Sequence, residues 1–272
     1  MSNARIADPV NVRCAAHAGR FYPAHPAELR RMISDFLKCA HPSDEPAPKA
    51  IIAPHAGYIY SGPIAASAYA RLEKARAIIR RIVLLGPAHY EAFVGVAASE
   101  ADAFATPLGL VPLDKPAIAR ISALPHVRPR EEAHEPEHCL EVHLPFLQTI
   151  LDEFTLVPLL VGEASDEQIS QVLEVLWGGP ETRIVVSSDL SHYHSHAEAR
   201  TLDRATASAI EALRGEALDS EQACGCEPIR GLVRSARSHG LRARTVDLRN
   251  SGDTAGSRDR VVGYGAFVFA ER

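Results

Sequence analysis

Apolar positions along the chain alternate between two periods. After Pro26, the residues Leu29, Met32, Ile33, Phe36 and Leu37 fall at i, i+3, i+4, i+7 and i+8, the spacing of one helix face. Short continuous apolar runs at 50–53, 82–85, 156–161 and 184–187 predict strands covered on both faces. Helices are predicted over 64–72, 115–124, 166–177, 197–213 and 227–239, and over 137–154 with an interruption near Pro145. Weaker strands are predicted at 93–98 and 110–113, and the runs 244–248 and 261–270 close the chain as strands. Strand followed by helix, repeated, argues for an α/β fold: a single three-layer domain over 1–272 with a mainly parallel or mixed central sheet flanked by helices. No internal repeat, low-complexity tract or Gly/Ser/Pro-rich linker divides it.

In an open α/β sheet, ligands bind beyond the carboxyl ends of the strands. Three apolar runs end there in polar residues: Ala-Pro-His55, Leu-Gly-Pro-Ala-His89 and Ser-Ser-Asp189-Leu-Ser-His192. If these strands are parallel, two histidines and further donors meet at one edge, an inventory suited to a metal. Each position taken alone is equally a turn residue or a satisfied core group, and Asp189 equally the cap of the next helix. His138 and Glu141 would share a helix face, with His143 further round. Cys224-Gly-Cys226 precedes a helical pattern, where a thiolate is favoured by free backbone N–H groups; a buried inert thiol is the alternative. His194 and His196 read as solvated loop histidines.

Composition narrows the class without naming a function. The chain has 272 residues, 46% hydrophobic and 23% charged, with a net charge of -5, which excludes disordered, collagen-like and disulfide-scaffold proteins. No basic excess is available for phosphate contacts, so nucleic acid is not expected as a partner. Five cysteines, an odd count in a chain of this size, point to a reduced, cytoplasmic setting. Residues 1–14 carry no stretch of signal-peptide type, and no apolar run is long enough to cross a bilayer, so no membrane association is expected.

Taken together, the motifs resemble the MEMO family, called AmmeMemoRadiSam system protein B in prokaryotes. They run in order along the chain: Ala18-Gly-Arg-Phe-Tyr-Pro23, Ala53-Pro-His-Ala-Gly-Tyr58, Leu85-Gly-Pro-Ala-His89, Thr106-Pro-Leu-Gly109 and His138-Cys-Leu-Glu-Val-His-Leu-Pro145. Ser187-Ser-Asp-Leu-Ser-His192, Cys224-Gly-Cys-Glu-Pro-Ile229, Asn250-Ser-Gly-Asp253 and Val261-Val-Gly-Tyr264 complete the series. The resemblance implies a fold similar to the class III extradiol dioxygenases, with a metal held by His55, His89 and Cys224 and with Asp189 and His192 lining the same pocket. It implies iron or copper, since the human relative is similar to a copper- or iron-binding redox protein, and protein partners from a radical-SAM system. The chain departs from the animal pattern at Tyr90, where those members have a second histidine, and around Arg20-Phe21-Tyr22, where an aromatic there serves phosphopeptide binding.

Three functions compete on these residues. A site of two imidazoles and a thiolate leaves positions open for O₂ and a small substrate, which suits an Fe(II)- or copper-dependent, dioxygenase-like oxidoreductase with His192, Asp189 or His143 in acid–base roles. Zinc on the same ligands would make a hydrolase, with Asp189 or Glu141 as base. A non-catalytic module that holds metal or docks a peptide is the third.

Overall fold

The computed structural model describes residues 11–41 and 43–271. The expected domain bounds at both termini, and most of the 1–14 segment examined for a leader, lie outside the described residues. Among the described residues the strands are β1 (Val12–Arg13), β2 (Ala50–Ala53), β3 (Arg81–Pro87), β4 (Val96–Ala98), β5 (Ala103–Thr106), β6 (Gly109–Pro112), β7 (Val127–Pro129), β8 (Thr155–Val161), β9 (Thr182–Ser187), β10 (His192–His194), β11 (Arg242–Asn250) and β12 (Val261–Ala270). The helices are α1 (Pro26–Cys39), α2 (Tyr58–Tyr69), α3 (Lys115–Ile121), α4 (Glu131–His134), α5 (Leu144–Ile150), α6 (Asp166–Leu176), α7 (His196–Glu211) and α8 (Cys226–Ser238).

The continuous apolar runs become the centre of a mixed nine-stranded sheet. β2, β9, β3 and β8 pair in parallel, in that spatial order. Each is buried on both faces, as the lack of alternation in their sequences requires. β12 runs antiparallel to β2 and carries β11 along its other side, with β10 against its first residues. At the far edge β4 is antiparallel to β8, and β7 is parallel to β4. A separate three-stranded sheet, β1-β5-β6, lies apart. Helices flank the main sheet: α1, α2 and α5 pack with one another, and α6 packs with α8 and α3. This is the expected three-layer α/β arrangement with a mixed sheet.

Local signals account for the helix starts. Ser165 and Ser195 each accept the amide of a residue three positions on, while Gln168 and Glu198 return the bond to the cap amide. α1 begins at Pro26, whose missing N–H costs nothing in a first turn.

The predicted helix over 137–154 is the main departure. Residues 137–140 form no helix, Glu141–His143 makes one tight turn, and α5 starts at Leu144. The Glu137 carboxylate accepts the amides of His138 at 2.9 Å and Cys139 at 3.1 Å, bonds that compete with a helical path. Pro145 then sits in the first turn of α5, where it is tolerated. His138 and Glu141 accordingly do not share a helix face. Strands β1, β5, β7 and β10 were not anticipated, being short and without a strong apolar pattern.

Candidate metal centre

Parallel pairing sets the site. Ala53 lies opposite Ser187 and Leu85 opposite Val186, so β2, β9 and β3 end at one edge of the sheet. His55, Asp189 and His89 lie just beyond these ends and are brought together there, as the strand-end pattern anticipated. The His55 backbone N–H donates to Asp189 Oδ1 at 2.8 Å, and His55 Nε2 lies 4.0 Å from Asp189 Oδ2. Asp189 caps no helix; Ser195 holds that position for α7.

Cys224 reaches the same place because α8 begins against β9. A Cβ on Gly225 would stand 2.6 Å from the Ser187 carbonyl oxygen, a contact only glycine permits. The Gly225 N–H donates to Ser188 Oγ at 3.0 Å. Cys224 Sγ then lies 3.3 Å from His55 Nε2 and accepts the Asp189 N–H, also at 3.3 Å. Cys226, inside α8, donates to its neighbour Glu227 at 3.0 Å and is buried away from this contact set.

The loop that replaces the expected helix supplies a third imidazole. Ring centroids of His55 and His89 are 5.1 Å apart, those of His55 and His138 5.4 Å, and those of His89 and His138 4.7 Å. One ligand atom from each of His55, His89 and His138 lies within 4.8 Å of the others. A second such group, His89, Glu137 and Cys139, adjoins it, and Cys224 falls in neither. The structure therefore places Cys224 against His55, while the mutually close trio is completed by His138.

Two groups that sequence reasoning passed over hold these rings. Ser187 Oγ lies 2.6 Å from His55 Nδ1 and donates its proton to the Cys139 carbonyl at 2.7 Å, so it accepts from the imidazole. That leaves His55 Nε2 facing Cys224. Glu137 accepts the His89 amide at 2.7 Å and pairs with His89 Nδ1 at 2.9 Å. A carboxylate or hydroxyl behind an imidazole fixes its tautomer, the arrangement that orients metal-binding histidines. The one sequence cue for Glu137 was its position immediately before His138.

Electrostatics follow burial. Burial, then the neighbouring His89, His138 and His143, holds His55 well below its usual range and so neutral. Burial raises Asp189 from its ordinary value, opposed by the His55 amide and by His192, His138 and His89. Burial also works against ionised Glu137, but its bonds to His138 and His89 prevail and its carboxyl lies far below the ordinary value. The Cys224 thiol is pushed up by burial and by Asp189, against the Asp189 amide and Ser188. The helix start does not make it a thiolate; burial outweighs the backbone N–H groups.

The remaining expected residues divide. His192 is half-buried on β10; its charge bears on Asp189, but no hydrogen bond joins them among the described residues. His143 is buried, with Nδ1 bonded to Tyr69 OH at 2.8 Å and Nε2 without a partner. Glu141 cannot serve as a base. It is fully buried, pairs with Arg13 at 2.7 Å, and accepts the amides of Ala16 and His17 and the hydroxyl of Tyr22. Phe21 and Tyr90 stand around His138, at 4.6 Å and 6.0 Å between ring centroids.

Known proteins resemble the chain over nearly its whole length. The profile of the family described as Memo-like protein matches residues 13–268. A MEMO1 family protein of Aquifex aeolicus is 38% identical, covering 96% of this chain and 100% of its own length. One from Archaeoglobus fulgidus is 36% identical over 93% of this chain and 97% of its own. One from Aeropyrum pernix is 37% identical over 94% and 99%. An α/β protein with histidines gathered at the carboxyl edge of a mixed sheet, the chain belongs to the MEMO family. No helix among the described residues is long and apolar enough to cross a membrane.

Proposed function

We propose that the chain is a metal-dependent oxidoreductase of dioxygenase-like type, acting on a small substrate with iron or copper. The observation that carries this reading is the convergence of His55, His89 and His138 beside Cys224, with two of the rings oriented from behind by Ser187 and Glu137. The donor set fits a metal. The buried, neutral His55 offers a lone pair beside the rings of His89 and His138, and a thiol held protonated by burial becomes a ligand when a cation takes the proton's place. His55 and His89 would hold the ion, with Cys224 as the soft donor on the His55 side and His138 as a further imidazole. A bound iron or copper would supply one-electron and O₂ chemistry at this point.

The chain's own residues contribute protons and order. Asp189 is anchored through Oδ1 on the His55 amide, which leaves Oδ2 toward the ring and able to carry a proton. Its raised affinity for protons suits a group that both takes and returns them. His192 bears on the same carboxylate from β10 and would serve as its exchange partner with solvent. Protein partners from a radical-SAM system would deliver or receive the substrate.

Anaerobic metal analysis of untagged protein, followed by oxygen-uptake and ester-cleavage assays, tests this. Iron or copper lost in His55→Ala and His89→Ala, together with oxygen uptake, is the expected result. Zinc with ester cleavage would replace the reading by a hydrolase, and bound metal without turnover by a binding module. Asp189→Asn keeps an acceptor for the His55 amide, so it should retain the metal and lose turnover about a hundredfold.

A further inference from the structure

The opposite edge of the sheet carries a second cavity. A cleft of about 1070 Å³ opens at the amino-terminal ends of β2 and β9, beside α2 and the start of β11. Ala50 pairs with Ile184, so Lys49 and Arg183, the residues before them, stand side by side. Arg71 from the end of α2, Lys74, Arg242 and Arg244 also line the cleft, against Glu45, Glu211 and Glu271.

Some of these charges are already matched. Arg244 pairs with Glu45, and Lys74 with Asp44 at 3.2 Å. Glu211 accepts the Thr245 amide at 2.9 Å, and Glu181 and then Glu271 bear on Arg183 without reaching ion-pair distance. Lys49 Nζ spends its protons on backbone carbonyls, those of Trp177, Gly178, Gly179 and Thr182. The Trp177 ring is fixed between Lys49 and His239, which stacks on it at 3.8 Å, so this wall is rigid.

Arg71, Arg183 and Arg242 make no ion pair among the described residues. Arg183 is 8% exposed; its Nη1 donates to the Pro180 and Thr182 carbonyls at 2.7 and 3.0 Å, and its Nε has no acceptor. Arg71 Nε is likewise buried without an acceptor. A buried donor left unmatched is costly, more so on a charged group. Arg71 and Arg183 both line the cleft, each with a buried guanidinium Nε that meets no acceptor among the described residues. Guanidinium forks match the paired oxygens of phosphate and carboxylate.

We propose that this cleft binds a small polyanion, a phosphate ester or a polycarboxylate, with Arg71 and Arg183 on its oxygens and Arg242 at the rim. The volume admits a molecule with several anionic groups. Burial and the adjacent Arg183 lower Lys49 to about 8, a repulsion that a bound anion relieves. The site lies at the other edge of the sheet from the histidines and does not rest on the metal reading.

Calorimetric titration of the full chain at low salt, with pyrophosphate and separately with citrate, tests the proposal. Saturable binding of at least one is expected, and pyrophosphate alone or citrate alone identifies which anion chemistry is preferred. Arg71→Gln should weaken it about tenfold or more, since that side chain supplies a charge-assisted contact. Arg120→Gln, an exposed arginine of α3 outside both sites, should leave it unchanged. Arg183→Gln should act like Arg71→Gln; if its buried position prevents folding, Arg242→Gln, at an exposed residue, takes its place, with circular dichroism confirming the fold. No saturation with either anion, or binding indifferent to both Arg71→Gln and Arg242→Gln, overturns the proposal.

Discussion

The segment from Glu137 to His143 serves two neighbouring regions that treat buried polar groups in opposite ways. Toward the amino terminus, Glu141 takes four bonds, from Arg13, Ala16, His17 and Tyr22. Arg13 in turn donates to the carbonyls of His134 at 2.6 Å and Glu137 at 2.6 Å. Both charges are matched from all sides, and the result is a clasp that ties residues 13–22 to the loop. Toward the sheet edge, Glu137 is as deeply buried, yet its bonds orient His89 and the loop amides and leave other groups open. Cys224 is held protonated and Asp189 Oδ2 faces a ring across 4.0 Å, while His138 Nδ1 stands 3.2 Å from the same Glu137 carboxylate. A closed polar network holds shape, whereas one left partly open keeps donors for something else. The clasp fixes the loop from behind, so the open site depends on the closed one.

Breaking the clasp should give the largest effect. Arg13→Met strands the Glu141 carboxylate in the interior, and losing one partner of a buried pair costs about 3–5 kcal/mol. Urea unfolding measures it. A loss near that of an exposed ion pair would mean that the clasp is ornamental and the comparison wrong.

Glu137→Gln probes the open side. The amide still fills the space but no longer pulls on the His89 Nδ1 proton, so metal affinity should drop about 10–100-fold, the range for groups behind metal-bound histidines. Competition with a chelator reads this out, and unchanged affinity would show that Glu137 merely shapes the loop.

Cys224→Ser should lower metal affinity less, by about tenfold, because the imidazoles remain and only the soft donor is lost. Cys226→Ser should leave affinity unchanged, its thiol being engaged by Glu227. Equal losses in the two variants would separate Cys224 from the metal, and the same titration on His138→Ala would then test the all-histidine set.

A pH dependence of stability probes the buried titratable groups outside the comparison. Burial holds His134 at about 4 and His143 at about 3, against an ordinary 6.5. The unfolded chain then binds more protons than the folded one below pH 6.5, so their contribution is complete above that pH and is lost as the pH falls toward 4 and 3. Asp203 acts in the other sense. Burial raises it to about 6 from 3.8, so its contribution is present below 3.8 and is lost as the pH rises through 6. Unfolding midpoints should therefore fall between pH 6.5 and 4 in the wild type, and fall more steeply in Asp203→Asn. A profile that is flat in both would remove the histidine contribution.

Much of this molecule was determined by local sequence. Apolar runs without alternation can only be strands covered on two faces, which made β2, β3, β8 and β9 legible, and the strand-end residues His55, His89 and Asp189 followed from a parallel sheet. Helical spacing of apolar residues marked α1, α6, α7 and α8. What the local pattern could not carry was the path of residues 137–143. Their apolar spacing suits a helix, but side chains distant in sequence determine the outcome: His89 bonds to Glu137, and Arg13, His17 and Tyr22 bond to Glu141. Those bonds turn a predicted helix face into a loop that sends His138 to the candidate metal site and Glu141 into the clasp. The placement of Cys224 beside His55 came from the family resemblance and not from periodicity, while the roles of Glu137 and Ser187 and the unmatched arginines of the far cleft were decided only by tertiary structure. Each depends on burial and on a partner far along the chain, and periodicity records neither.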